Sequence, residues 1–428
     1  MSQWRWFAGS SVEAIVRLEP EWRELMARSR ARFMAGPTWQ RAYAEAFGTN
    51  PEVRALYSGS KLAAVGVFES SGHTRSFAEN LHFPVCDVAI DWSIPDIADA
   101  LIDAWTDGAP ELCLSRLPIT ERFARTLEWH AERRVPHVVT TAQHGDASIS
   151  LRGGVAGIER RLSPMTRRDA RTKEKRLTAL GNVSFEALGV DAPVSDASLQ
   201  EAFELEASGW KGREGSPISA DPITKRFYES LFRYGAAHHE MALYVIKLDG
   251  RIVAFDLDTR NNGRIDLLKT GYDESLSKAS PGNVLRWHIL ESEAQRGEID
   301  TYHLGRPSDW KMRWATKVSD VGSLQLYSGA RGRAIYLTTV AARTWVKEHL
   351  PTIIAKVRDF RGAPPPRPVT EIKAAVLHAP VLSLVPPAMV QVEPTLVEIE
   401  IEPPLESGYQ LKPGLYDRDE DEQGTQVG

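Results

Sequence analysis

Two regions of the chain alternate apolar and polar positions in the period-two pattern of half-buried strands, and in each the runs are joined by turn residues. Arg54–Tyr57 and Ser60–Phe68, either side of Ser58-Gly59-Ser60, predict a β-hairpin that follows a helix over Thr38–Phe47. Met241–Lys247 and Arg251–Asp258, joined at Asp249-Gly250, predict a second hairpin, and Asn262-Gly263 turns the chain into a third strand, Arg264–Thr270. Both hairpins contain the same tripeptide, Ala55-Leu56-Tyr57 and Ala242-Leu243-Tyr244, and a helix precedes each of them. This echo predicts two similar α/β domains dividing near Gly153-Gly154, over 1–152 and 153–362.

The strongest local signal is Tyr272 to Gly297, YDESLSKASPGNVLRWHILESEAQRG, which reads as a strand end, a loop and a helix. Ser280 is placed to cap, Pro281 suits the first helical position, Gly282 permits close backbone approach, and Gly297 ends the helix. Amides left unpaired at a helix start attract anions, and Lys278 adds a positive charge before the turn. A capped amphipathic helix without a ligand explains the same residues, and the two readings stand side by side.

Composition then separates a tail from the body. Of the 26 prolines, eleven fall in Ala363–Gly428, together with eleven acidic and four basic residues, a net charge of -7. The chain total of -5 therefore leaves +2 for residues 1–362. Proline at this density blocks helix interiors and sheet ladders, so 363–428 is expected to be a disordered, acidic extension, with protein docking as an alternative role. No apolar run reaches a membrane span and the opening residues lack a signal-peptide pattern, so the protein is expected in the cytoplasm. Cys86 and Cys113 are the only cysteines, and the one close histidine pair, His238-His239, cannot share a helix face, so no metal site is expected.

Three further segments carry candidate chemistry. Arg160–Leu180, RRLSPMTRRDARTKEKRLTAL, holds eight basic residues and two acids and predicts a helix with a capping box at Thr166 and Asp169. Its Arg167 and Arg168 are candidate phosphate or substrate contacts, against the reading of a solvated face, and nucleic-acid binding is disfavoured by the small body charge. The glycine-rich loop after Ser208 offers Trp210 and Lys211 as a substrate-side lid, against a tryptophan that only anchors the loop. A strand over Ile299–Leu304 runs into Gly305-Arg306-Pro307-Ser308-Asp309-Trp310-Lys311. There Lys311 can steady negative charge, while Asp309 or His303 can take a proton, against a core histidine and a surface Lys/Asp pair. No GxSxG, GxxxxGK[ST] or GxGxxG motif is present.

Taken in order, the basic helix, LEASGWKGREGSPI, LDGRIVAFDLDTRNNGRIDLLKTGYDESLSKASPGNVL and YHLGRPSDWKMRWATK resemble the GNAT-type acetyltransferases of the CelD family, which are linked with polysaccharide production and more distantly related to Fem aminoacyltransferases. The resemblance covers about Val155 to Lys317. It implies an α/β fold of tandem GNAT-like domains, and an acyltransferase that uses acetyl-CoA or another acyl-CoA to modify a saccharide or other cell-envelope-related acceptor directly. On this chain the pyrophosphate would meet Lys278, Ser280, Gly282 and Asn283, the acyl group would lie beside Leu267 to Gly271, and Lys311 matches a lysine position typical of the family and its Fem relatives. The loop SKASPGN stands where ordinary GNAT enzymes have more arginine and glycine. Two other readings stay open: aminoacyl transfer from charged tRNA, and a non-catalytic accessory protein of polysaccharide secretion.

Overall fold

A computed structural model describes residues 4–80, 82–209, 218–342, 344–345 and 348–349. Trp210, Lys211 and the proline-rich tail lie outside the described residues. Residues Met1–Arg361 fall in one compact unit.

In chain order the first half contains β1 (Trp4–Ser10), α1 (Val12–Ser29), α2 (Pro37–Phe47), β2 (Glu52–Ser58), β3 (Lys61–Ser71), β4 (Thr74–Phe77), β5 (Ala89–Ile90), α3 (Ile97–Thr106), β6 (Glu111–Leu117), α4 (Arg122–Arg134) and β7 (His137–Ser150). The second contains α5 (Gly154–Arg161), α6 (Pro164–Thr178), β8 (Val183–Leu188), α7 (Asp196–Ser208), α8 (Pro222–Gly235), β9 (Met241–Leu248), β10 (Arg251–Asn261), β11 (Arg264–Tyr272), α9 (Pro281–Arg296), β12 (Thr301–Gly305), α10 (Asp309–Met312), β13 (Lys317–Tyr327) and α11 (Gly329–Tyr336).

The strands form one sheet in the order β1-β2-β3-β4-β6-β13-β7-β12-β11-β10-β9-β8, with β5 on β3. That order is nearly a palindrome about the β13–β7 pair. β1 corresponds to β8, β2 to β9, β3 to β10, β4 to β11 and β6 to β12. The shared tripeptide does fall in the corresponding strands β2 and β9, but not in the same register: Tyr57 lies one residue before the last of β2, next to its turn, whereas Ala242 is the second residue of β9, at the end of the strand away from its turn. Each repeat is completed by a strand from the other, since β13 lies beside β6 and β7 beside β12. Exchange of a final strand joins the two repeats through a continuous ladder of backbone hydrogen bonds, because β13 and β7 pair from Lys317↔Ser148 to Tyr327↔His137.

One buried cluster gathers α1, α2, α3, α7 and α8, and α2 meets α8 where Trp39 packs edge-on against Phe227 at 5.1 Å. The other lies beneath α9 with side chains of α5 and α6, including Ile158, Leu177, Val284 and Leu290. The predicted single helix over Arg160–Leu180 is instead two helices. Pro164 disfavours helical conformation at the residue before it, and Leu162 and Ser163 take extended ψ values of 142° and 145°. Ser163 is the cap, its Oγ accepting the Thr166 amide at 3.0 Å, so the expected Thr166/Asp169 capping box does not form.

His82, after β4, ties the repeats together. Its ring stacks on Phe47 at 5.6 Å and its Nδ1 meets the Tyr228 hydroxyl at 3.1 Å. Burial, reinforced by the nearby Lys269 ammonium, pushes its imidazole down from the ordinary 6.5 to about 4. Between those values the unfolded chain binds a proton that the folded chain does not, so stability is fully present above 6.5 and falls as pH drops toward about 4. The difference corresponds to about 3 kcal/mol, closer to about 2 kcal/mol after allowing for partial exposure. Urea denaturation at pH 7 and pH 4.5 is expected to show this loss in the wild type and a clearly smaller one in His82→Asn; equal losses would remove His82 as the cause.

Candidate active site

The site begins with two parallel strands that pair briefly and then separate. β11 and β12 are joined only at Arg264↔Thr301, Ile265↔Tyr302 and Asp266↔His303, after which β11 continues to Tyr272 without β12 beside it. A register shift at Leu257/Asp258 in the β10–β11 pair bends β11 just past this point. The splay opens into a cavity of about 320 Å³ bounded by Thr270–Tyr272, by Ser280, Gly282, Asn283 and Arg286 of α9, by the end of α7 and by Trp310.

The equivalent place in the first repeat is filled. β4 and β6 also pair over three positions, Thr74↔Glu111 to Ser76↔Cys113. The chain beyond β4 then folds back into the gap: Phe83, Val85, Cys86 and Val88 are buried there, and the Cys86 amide donates to the Arg116 carbonyl of β6 at 2.9 Å. What remains is a void of about 10 Å³, too small for a ligand. Of these two gaps, the one in the second repeat is open.

The start of α9 departs from expectation in one respect. Ser280 occupies the cap position but is left-handed (φ 48°, ψ 61°) and its side chain caps no amide; its Oγ instead accepts from Asn283 Nδ2 at 3.0 Å. A serine held in this region costs about 1 kcal/mol or more, and such strain concentrates at ligand sites. Gly282 has no such backbone demand, and a Cβ there would meet only Tyr272, at 3.8 Å. The fold alone does not require glycine at this position. Pro281 has no amide N–H and the Asn283 amide donates to the Ser280 carbonyl at 3.0 Å, so at this helix start the Gly282 amide is the one placed to meet an anion. Lys278 is exposed just outside the cavity, where its carbonyl accepts from Arg176 of α6 at 3.4 Å.

A buried polar network backs the cavity wall. Arg286, 2% exposed, pairs with Asp256 at 2.7 Å and donates to the Tyr302 hydroxyl, which in turn donates to Asp258 at 2.6 Å. Burial, and Asp256 alongside, push the Asp258 carboxyl well above the usual carboxylate range. The Arg286 Nε has no partner among the described residues, and its guanidinium lies 5.5 Å from the Trp310 ring, so a buried cation with spare donor capacity faces this wall.

At the crotch of the splay is a second buried set. His303 Nδ1 lies 2.8 Å from Asp146 of β7, and Arg32, in the loop after α1, contacts both Asp146 and Asp266 at 3.2 Å and Glu121 at 3.1 Å. Burial alone would raise the Asp146 carboxyl; the hydrogen bond and charge of His303, with Arg32, outweigh it and hold it down at about 2. The contact orients the ring: when the imidazole is neutral, a proton on Nδ1 donated to Asp146 leaves Nε2 as an acceptor, the arrangement of an oriented base. From Asp266, beside His303, to Thr270 at the cavity is four residues along β11, about 13 Å.

Of the residues singled out from sequence, Ser280, Gly282 and Asn283 line the cavity together, while Lys278, Asp309, Lys311, His303, Arg167 and Arg168 do not. Lys311 and His303 share the end of β12: the Lys311 ammonium lies 3.8 Å from where a Cβ on Gly305 would stand, over a backbone with φ 73°. Asp309 is exposed at the start of α10, and Arg167 and Arg168 lie on α6. Sequence reasoning missed Arg286, Asp256, Asp258, Tyr302, Asp146 and Arg32. The alternating aspartates of Phe255-Asp256-Leu257-Asp258 in an otherwise apolar strand were the one signal available for part of this set.

Residues 165–312, from α6 to α10, match the family model described as an acetyltransferase (GNAT) domain. Among solved structures the chain is similar to FemX, at 10% identity over 75% of this chain and 98% of that one, with a TM-score of 0.57. It also matches the C-terminal domain of a putative lysylphosphatidylglycerol synthetase from Agrobacterium fabrum (14% identity, 76% and 96% covered, TM-score 0.49) and a tandem GNAT protein from the clavulanic acid biosynthesis pathway (11% identity, 76% and 99% covered, TM-score 0.39). No curated protein matches the chain. The architecture is a mixed α/β fold of GNAT-like repeats, and the likeness to FemX concerns the fold.

Proposed function

We propose that the protein is an acyl-CoA-dependent acyltransferase whose donor lies in the splay of the second repeat. The observation that carries this reading is the asymmetry between the two gaps: the one followed by a strained, glycine-bearing helix start is open, and its counterpart is filled by the chain itself. A ligand spanning from the α9 start to His303 needs an anionic end and an extended arm of about 13 Å. Coenzyme A has both.

The Gly282 amide and the positive end of α9 would hold the pyrophosphate, with Lys278 adding charge at the mouth, and the stretch of β11 beyond its pairing with β12 would align the arm. His303, oriented by Asp146, would take the proton from an acceptor amine or hydroxyl as it attacks the thioester carbonyl; the C–S bond then breaks, coenzyme A leaves as a thiol that takes up that proton, and Lys311 would steady charge at the same strand end. The acceptor assigned is a saccharide or cell-envelope-related group, as the sequence resemblance implies.

Titration calorimetry tests the donor. Acetyl-CoA is expected to bind the wild type, Gly282→Ala is expected to keep the fold because its methyl finds ordinary contact only, and Gly282→Phe is expected to weaken binding at least about tenfold by filling the cavity. Absence of acetyl-CoA binding, with charged tRNA bound instead, would move the donor assignment to an aminoacyl group.

A further inference from the structure

The basic segment at the start of α6 takes no part in the cavity, yet the fold places it beside a second basic segment. The Thr166 Oγ1 donates to the Arg313 carbonyl at 3.3 Å, which brings the first turn of α6 against the end of α10. Residues 160–168 and 306–317 together hold eight basic residues and one acid, Asp309, a local charge of +7 in a body whose net charge is only +2. Arg168, Arg306 and Arg313 are exposed and form no ion pair among the described residues. Positive charge is therefore gathered on this face rather than spread over the molecule.

The same face exposes apolar side chains. Met165 is 80% exposed and Met312 is 48% exposed, each one residue before the two that make the Thr166–Arg313 contact. Two exposed methionines flanking the Thr166–Arg313 contact, beside arginines with no ion pair among the described residues, put apolar surface in water that the core does not need. The combination of apolar tips ringed by cations matches a lipid surface: the tips enter the boundary between headgroups and acyl chains while the arginines meet headgroup phosphates. A nucleic acid would use the charge but not the methionines, since RNA surfaces favour aromatic or guanidinium stacking.

We propose that the face formed by the start of α6 and the end of α10 docks the protein on a bilayer containing anionic lipids. Trp310, between Asp309 and Lys311 on this face, also lines the cavity, so docking sets the cavity beside the membrane surface. The inference does not depend on which donor the cavity holds.

Flotation of the full chain with vesicles tests it. Binding is expected to vesicles of phosphatidylcholine mixed with phosphatidylglycerol, and not to phosphatidylcholine alone. Each arginine removed is expected to weaken binding about fivefold, so Arg168→Gln with Arg313→Gln loses about 25-fold. Met165→Ser with Met312→Ser, which leaves the charge unchanged, is expected to lose about tenfold. Unchanged thermal melting of both double variants confirms that they fold. Failure of the wild type to float with anionic vesicles overturns the proposal. So does wild-type binding by the methionine variant, or binding to a single-stranded RNA oligonucleotide that is tighter than to vesicles and indifferent to the methionines.

Discussion

Replacing His303 by glutamine is expected to lower the rate constant of acyl transfer by about 10²–10⁴-fold while leaving acetyl-CoA binding intact. Glutamine retains a group able to hydrogen-bond Asp146 and fills most of the imidazole volume, so the change isolates the loss of a proton acceptor at the crotch of the splay. Asp146→Asn is expected to act in the same direction through the ring, because an amide in place of an ionised carboxylate no longer holds the proton on Nδ1. Single-turnover measurements with saturating acetyl-CoA separate chemistry from binding. A wild-type rate for His303→Gln would remove the imidazole from the reaction and leave the buried His303–Asp146 pair as part of the core.

The second large effect concerns stability. Arg32 is 1% exposed and stands between Asp146, Asp266 and Glu121, carboxylates contributed by β7, by β11 and by the turn before α4. Arg32→Met keeps much of the apolar volume but leaves Asp146 and Asp266 buried without their cation, a change expected to cost about 3–5 kcal/mol. In urea denaturation the midpoint should fall with the slope unchanged. The loss should be smaller when Asp266→Asn is added, because one stranded charge is then gone; a double variant no more stable than the single one would show that Arg32 acts through packing rather than charge.

Local pattern carried the reading of elements well where the signal was itself local. The two hairpins, their shared tripeptide and the helix between Pro281 and Gly297 follow from alternation, turn residues and end signals, each contained within a short window. Errors arose where two local signals competed. Across Arg160–Leu180 the charge pattern favoured one helix, but the constraint from Pro164 on the residue before it prevailed, and Ser163 took the cap expected of Thr166. At Ser280 the residue type suggested a side-chain cap, whereas the chain has to turn out of Leu276–Ala279 and reaches α9 through a left-handed residue.

The sequence by itself marked the two hairpins, the strands after them at Arg264–Thr270 and Ile299–Leu304, and the helix start that borders the cavity, because hydrogen bonding along a strand or helix and the choices of proline and glycine act between near neighbours; it did not mark β1, β4 to β8 or β13. Only the tertiary structure decided which repeat stays open, since that depends on Phe83 to Val88 folding back onto β6 in one half with no counterpart in the other. It also decided the partners of His303 and Arg32, which come from 157 and 234 residues away for the His303–Asp146 and Arg32–Asp266 contacts. Burial is what makes those partners necessary: a charge removed from water must find an opposite charge or a donor, and the exchanged strands of the sheet, rather than proximity along the chain, determine which one is within reach.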